Sequence, residues 1–272
     1  MACSALVTIQ AGSGSRSPLF CVHAEAGHVR LYYALARHLP HEQSVYGLTT
    51  LAVGEGGQPE RLERMAERHL REIRAVQPNG PYIIVGECMG GSLAYEIAQQ
   101  LRAAGEEISL LALVDAFRPG FPQLLPFVPR SAYKAVHRVR ILGFHCSNLV
   151  RLAPRAKLAY AASKADRVRE TATARVSAAL HRSSKTVTPQ SAFKDALAAY
   201  TPKPYAGCVV LFRAGRLPLG IAAAPDLGWG ALVERLQVEL VPGYFTTPIS
   251  EPGVKILAEL FGGHLSARAG EP

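Results

Sequence analysis

PYIIVGECMGGSLAYEIAQQL, residues Pro81–Leu101, changes its periodicity half-way along. Tyr82–Val85 is an unbroken apolar run containing β-branched residues, which predicts a strand. Leu93, Ile97 and Leu101 recur at i, i+4 spacing and predict one apolar face of a helix. Between the two, Gly86-Glu87-Cys88-Met89-Gly90 has the glycine spacing of a G-x-S-x-G nucleophile elbow, with cysteine where serine is expected. Gly86, Gly90 and Gly91 permit a sharp turn and close packing of helix on strand. Such a turn projects Cys88 at the sheet edge, beside a helix N-terminus whose partial positive charge favours the thiolate.

The same alternation extends outward from the elbow. Strand-like runs occur at Leu6–Ile9, Leu19–His23, Val45–Leu48, Leu110–Val114, Val209–Phe212 and Val238–Val241. Leu62, Met65, Ile73 and Val76 share one face of a helix that is expected to begin near Pro59. Strands alternating with helices predict an α/β fold with a mainly parallel central sheet flanked by helices. The pattern breaks after Val114. Arg118–Pro129 holds four prolines and reads as irregular or extended chain, and the stretch after it reads as two or three helices ending near Arg182–Gln190. The expectation is one domain over residues 1–272, with residues 118–190 inserted as a helical lid.

Composition narrows the function classes. With 49% hydrophobic and 19% charged residues, the chain can bury a substantial core, and disorder is not expected. No apolar run reaches membrane-spanning length, and the N-terminus lacks the pattern of a signal peptide, so a cytoplasmic location is expected. The five cysteines are scattered with no C-x-x-C pair, which supports neither a zinc site nor a disulfide frame. Cys21 and Cys208 fall in strands and read as buried thiols. The net charge of +9 is concentrated: 13 Lys/Arg face only Asp166 and Glu170 between Arg130 and Lys185. A segment of that kind suits nucleic acid, a membrane surface or an acidic protein, or is simply a solvated helix face. No nucleic-acid motif accompanies it.

Several stretches in order resemble the thioesterase domains of nonribosomal peptide and polyketide synthases, which are α/β-hydrolases. Pro18–Val29 is similar to that family's strand and following H-P-x-x-G loop, Gly80–Leu101 to its elbow and helix, and Ile108–Gly120 to the strand bearing its catalytic acid. Ala199–Phe212, Asp226–Gly230 and Val238–Gly243 are similar to its C-terminal half. The resemblance runs from about Leu6 to Leu265. It implies Cys88 as nucleophile, a cysteine being used there by a minority of these domains, and Asp115 as the acid. It also implies that the backbone N–H groups of Met89 and Glu25 form the oxyanion hole, which stabilises developing negative charge. Ala24 stands where the family has proline, a change that backbone donors tolerate.

One position departs from the family's pattern. Its histidine lies in a P-G-D-H or similar stretch after the last strand, and this chain reads Val241-Pro242-Gly243-Tyr244-Phe245-Thr246. Phe245 occupies the histidine position and cannot accept a proton. His28, on the oxyanion loop, is the first candidate for a relocated base, and His145 in the lid the second. His23 reads as a residue that holds the loop through hydrogen bonds. Cysteine supplies some thiolate without help whereas water needs a base, so the pairing of Cys88 with Phe245 favours acyl transfer over hydrolysis. The resemblance implies an acyl or peptidyl carrier protein as partner. Its phosphopantetheine arm delivers the acyl group, and no cofactor, metal, nucleic acid or membrane is expected. Three rival readings follow from the same residues: a hydrolase with a relocated base, a carrier-binding module without activity, and a redox-sensing thiol.

Overall fold

The computed structural model describes residues 5–24, 27–49, 60–121, 123–151, 157, 188–222 and 224–269. Seven strands form one sheet: β1 (Leu6–Gln10), β2 (Leu19–Val22), β3 (Val45–Leu48), β4 (Tyr82–Glu87), β5 (Ile108–Val114), β7 (Tyr205–Arg216) and β9 (Val233–Tyr244). Their order is β1-β3-β2-β4-β5-β7-β9, parallel throughout except for β1, which runs antiparallel to β3. A two-stranded ribbon pairs β6 (Gln123–Leu124) with β8 (Ile221–Ala222). The helices are α1 (Tyr32–Ala36), α2 (Leu62–Val76), α3 (Gly90–Ala103), α4 (Arg130–Arg151), α5 (Pro189–Ala199) and α6 (Gly253–Ala269).

Strand periodicity sorts the core into two layers. Phe20, Val22, Ile84, Leu111 and Leu113 face the layer built with α2, α3 and α5, while Leu19, Cys21, Ile83, Val85 and Leu110 face the layer of α1 and α6. Both faces of the central strands are thereby covered, which is why those strands read as continuous apolar runs. Each fully buried aliphatic or aromatic side chain of this kind contributes ~1.5–3 kcal/mol.

Elsewhere the structure extends or corrects the sequence expectations. β9 starts five residues before Val238, and it lies at the sheet edge with Val238 and Leu240 exposed. Its hydrophobic run therefore reflects strand propensity, not burial on both faces. Cys208 is half-buried, not buried as its strand context suggested. Helix α2 starts at Leu62, whereas Pro59 lies outside the described residues, as does about half of 118–190. Of that segment the structure describes chiefly the ribbon strand β6, the long helix α4 and the start of α5. Helix α5 begins at a Thr188–Ser191 capping box and runs to Ala199, past the expected end of the insertion. Among the described residues no helix is long and apolar enough to cross a membrane.

The chain leaves β2 outward to β3 and returns across it to β4, so β2 and β4 are neighbours at a reversal of strand order. Ligands of open α/β sheets bind beyond the carboxyl ends of strands at such a point. Cys88 follows β4 there and His23 follows β2.

Behind this crevice lie two buried imidazoles. His23 and His69 have ring centroids 6.2 Å apart, and neither nitrogen of His69 has a hydrogen-bond partner among the described residues. Burial pushes His69 down to about 3 and His23 to about 4. An unfolded chain protonates both as pH falls through about 6.5, whereas the folded chain does not. Their contribution to stability is thus complete above pH 6.5 and is lost on acidification. In chemical denaturation at pH 7 and pH 5, His69→Leu is expected to lose less stability between the two than the unaltered chain, by about 2 kcal/mol.

Candidate active site

The elbow is built by close approach. A Cβ on Gly90 would lie 2.1 Å from the carbonyl oxygen of His23, and one on Gly91 would lie 2.3 Å from Cβ of Ala116. Only glycine lets the first turn of α3 sit against both the end of β2 and the segment after β5. Gly86 is similarly closed in, with Cβ of Ala94 and Cα of Gly91 each at 2.6 Å from its would-be Cβ. Between these contacts Cys88 takes φ 52° and donates its N–H to the Val114 carbonyl at 2.9 Å. A non-glycine residue held in the left-handed region marks strain of the kind stored at functional sites. The residue is half-buried and directly precedes the α3 N-terminus. Met89 N–H donates to no backbone carbonyl among the described residues. Glu25, its expected partner in the oxyanion hole, lies outside the described residues.

Asp115 closes β5 exactly one element away from the elbow in sheet order, but its carboxylate serves the backbone. Oδ1 accepts the N–H of Ala214 at 2.7 Å and Oδ2 accepts that of Thr246 at 2.7 Å. Asp115 and Thr246 both hold positive φ, 45° and 68°. Among the described residues no imidazole reaches the carboxylate; the position next to Thr246 is Phe245, whose ring packs 5.0 Å from that of Phe117. Burial pushes the Asp115 carboxyl up to about 7, against the pull of the two N–H donors and of Arg213.

The histidines separate clearly. His23 is buried, donates Nδ1–H to the Ala24 carbonyl at 2.8 Å and packs 4.7 Å from Phe193, the loop-holding role expected of it. His28 is exposed on the loop before α1 and close enough to act electrostatically on His23. His145 lies on α4 with its ring edge-on to Phe144 at 5.6 Å. The sequence reading passed over His137, which the structure brings to the end of β9. Its Nδ1 lies 2.9 Å from the Tyr244 hydroxyl, and its ring is 6.4 Å from that of Phe245. Tyr133, one turn earlier, stacks on His137 at 5.9 Å with 7° between the planes. Burial raises the Tyr133 hydroxyl above its ordinary pKa, and Cys88 is close enough to add to this electrostatically. The i, i+4 pair Tyr133/His137 was a signal in the sequence, lost among the basic residues around it.

An open groove of about 1260 Å³, between Pro81, Ile108, Glu234 and His264, lies at the opposite edge of the sheet, where β4 and β5 begin. It does not adjoin Cys88. Among the described residues no cluster of His, Cys, Asp and Glu is arranged to hold a metal.

Comparison with known proteins bears on the fold and on the first half of the chain. Residues 17–124 match the family described as "Thioesterase domain". That stretch of the chain is similar to thioesterase domains. The microperfuranone synthase of Emericella nidulans is 41% identical over 113 residues, which are 41% of this chain and 12% of that protein. The dimodular nonribosomal peptide synthase of Bacillus subtilis is 39% identical over 106 residues, 39% of this chain and 4% of that protein. The thioesterase matches therefore span only a small part of these relatives' length. Over the whole fold, a crystal structure of the NocB thioesterase domain in covalent complex with a fluorophosphonate nocardicin G analog superposes with TM-score 0.64 at 24% identity. That alignment covers 96% of this thioesterase-like chain and 99% of NocB.

The Asp115 environment yields a pH prediction. The folded carboxyl keeps its proton up to about 7, whereas an unfolded one releases it near 4. Its contribution is therefore present at low pH and declines as pH rises from 4 to 7, opposite in sign to that of the buried histidines. Denaturation midpoints across this range are expected to show Asp115→Asn lacking the decline, which is on the order of a few kcal/mol.

Proposed function

We propose that this thioesterase-like chain takes an acyl group from the phosphopantetheine thioester of a carrier protein onto Cys88 and passes it to a nucleophile other than water, within polyketide or nonribosomal peptide assembly. The observation that carries this reading is the combination at one crevice of a strained cysteine at a helix N-terminus and an acid whose oxygens are both taken by backbone N–H groups, beside Phe245.

In the first half-reaction the Cys88 thiolate attacks the thioester carbonyl, the carbon–sulfur bond to the arm breaks, and the arm leaves as a thiol. The α3 N-terminus favours the attacking thiolate, and Met89 N–H supports the oxyanion. Exchange of one thioester for another is nearly balanced, so this half needs no base. In the second half the acceptor attacks the acyl carbon and Cys88 leaves. Water is a poor acceptor where position 245 supplies no base to activate it, a loss that costs ~10²–10⁴-fold in rate. Amines, thiols and activated hydroxyls or carbons are better suited. Such transfer covers offloading, condensation or cyclisation, and shuttling.

Support for a carrier-protein partner comes from the relatives, which include a nonribosomal peptide synthase, and from α4. That helix has no acidic residue in its first turn and exposes Lys134, Arg138 and Arg140. Carrier proteins are acidic as a class, and a basic face steers such partners by charge.

Intact-mass measurement after mixing with an acylated carrier protein tests the first half. An acyl adduct is expected on the chain and not on Cys88→Ala; rapid release of free acid with no acyl acceptor present would count against transfer. Phe245→His is expected to raise hydrolysis of the adduct by roughly tenfold or more, since it restores a base at the expected position. The double charge reversal Lys134→Glu/Arg138→Glu is expected to slow acylation by carrier protein several-fold at low salt, with much less effect on acylation by a pantetheine thioester.

A further inference from the structure

The described part of the inserted segment places one imaginable base where the acyl group must be discharged. His137 stands over the end of β9, with its ring 5.4 Å from Tyr244 and 6.4 Å from Phe245, the residue at the family's histidine position. Its Nδ1 meets the Tyr244 hydroxyl at 2.9 Å. Tyr244 is itself fixed: its N–H donates to Thr247 Oγ1 at 3.0 Å, its carbonyl accepts the Thr247 hydroxyl at 2.6 Å, and its side chain is buried. A histidine whose one nitrogen is held by a rigid hydroxyl presents the other in a defined direction, the orienting logic of a catalytic triad with a phenol in place of the carboxylate. Stacking of Tyr133 on the imidazole fixes the ring plane.

We propose that His137, carried on α4, is the general base of the second half-reaction, taking over from the side of the insertion the task that position 245 has lost. This rests on the Cys88 acyl-enzyme reading above. With its Nδ1–H donating to the Tyr244 hydroxyl, Nε2 takes the proton of the acceptor as the acceptor's heteroatom bonds to the acyl carbon. The bond from that carbon to Sγ of Cys88 then breaks, its electron pair stays on sulfur as thiolate, and His137 passes its proton to the sulfur or to solvent.

The surroundings also suit an organic acceptor better than water. Tyr133 and Phe245 flank the imidazole, with Phe117 packed on Phe245, and a lone water needs two to four polar partners to settle in such a place. The titratable and charged groups facing His137 are Tyr133 on its own helix and Tyr244 on β9, with Arg140 acting on Tyr244 and Cys88 on Tyr133. Partial burial moves the imidazole below its ordinary value, so it is neutral and able to accept a proton near pH 7. The other histidines lack this placement: His23 and His69 are buried in the layer of α2 and α5, and His28 is exposed.

The test is a two-stage single turnover of the full chain. Cys88 is loaded with octanoyl-pantetheine, and the adduct is then discharged with N-acetylcysteamine as thiol acceptor or glycerol as hydroxyl acceptor. In His137→Gln, loading is expected within about threefold of the unaltered chain, while discharge to glycerol falls ~10²-fold and discharge to the more acidic thiol falls less. The rise of glycerol discharge with pH, with its midpoint below that of free imidazole, should vanish in the variant. Tyr244→Phe, which keeps the ring but not the hydroxyl, should give an intermediate loss with the pH midpoint displaced, and Phe245→His should restore part of the His137→Gln defect. An adduct that discharges equally fast in His137→Gln overturns the assignment alone. So does a defect that appears instead in His28→Gln. Absence of any adduct on the unaltered chain overturns this assignment together with the acyl-enzyme reading.

Discussion

The pair of hydrogen bonds received by Asp115 holds the site together. One carboxylate at the end of β5 takes an N–H from β7 at Ala214 and another from the loop after β9 at Thr246. Three separate pieces of chain are thereby fixed to within a side chain's length. These bonds gain strength once the carboxyl ionises, and losing the acceptor leaves a buried donor unsatisfied whatever the pH. The adjoining Tyr244 and Phe245, the one beneath α4 and the other against Phe117, are held in place beside this anchor. A residue whose type suggests a catalytic acid is here a structural tie for the loop that would otherwise carry its partner.

The fold was legible because its signals are local. Tyr82–Val85, followed by three glycines and the Leu93/Ile97/Leu101 stripe, already specifies strand, turn and helix, and the strand and helix appear where the pattern places them. The need for glycine at Gly90 and Gly91 was also visible, although what they approach, His23 and Ala116, was not. Edge placement is a property of the assembled sheet, so the exposure of Val238 and Leu240 on β9 could not be read from their hydrophobicity. Helices α5 and α6 escaped notice because their apolar stripes, Ala192/Phe193/Ala196 and Val254/Leu257/Phe261, are short or interrupted by glycine.

The chemistry divided in the same way. Cys88 announced itself through neighbours in sequence, and the absence of histidine at Phe245 through an uninterrupted flanking match. The identity of Asp115 was legible, but not its partners, since Ala214 and Thr246 are about a hundred residues away and contribute only backbone. His137 was the hardest to see. It gains meaning from Tyr244, more than a hundred positions later, and sequence spacing alone gave His28 and His145 as the alternatives.

The stretch that matches the thioesterase family ends at residue 124, just before α4 begins at Arg130. On the proposed mechanism, Cys88 and Met89, which load the acyl group, lie inside the matched stretch, whereas His137 on α4 lies outside it. Receiving the acyl group and directing its departure would then belong to different elements. Changes confined to α4 would alter where the acyl chain goes while the sheet beneath takes it up in the same way.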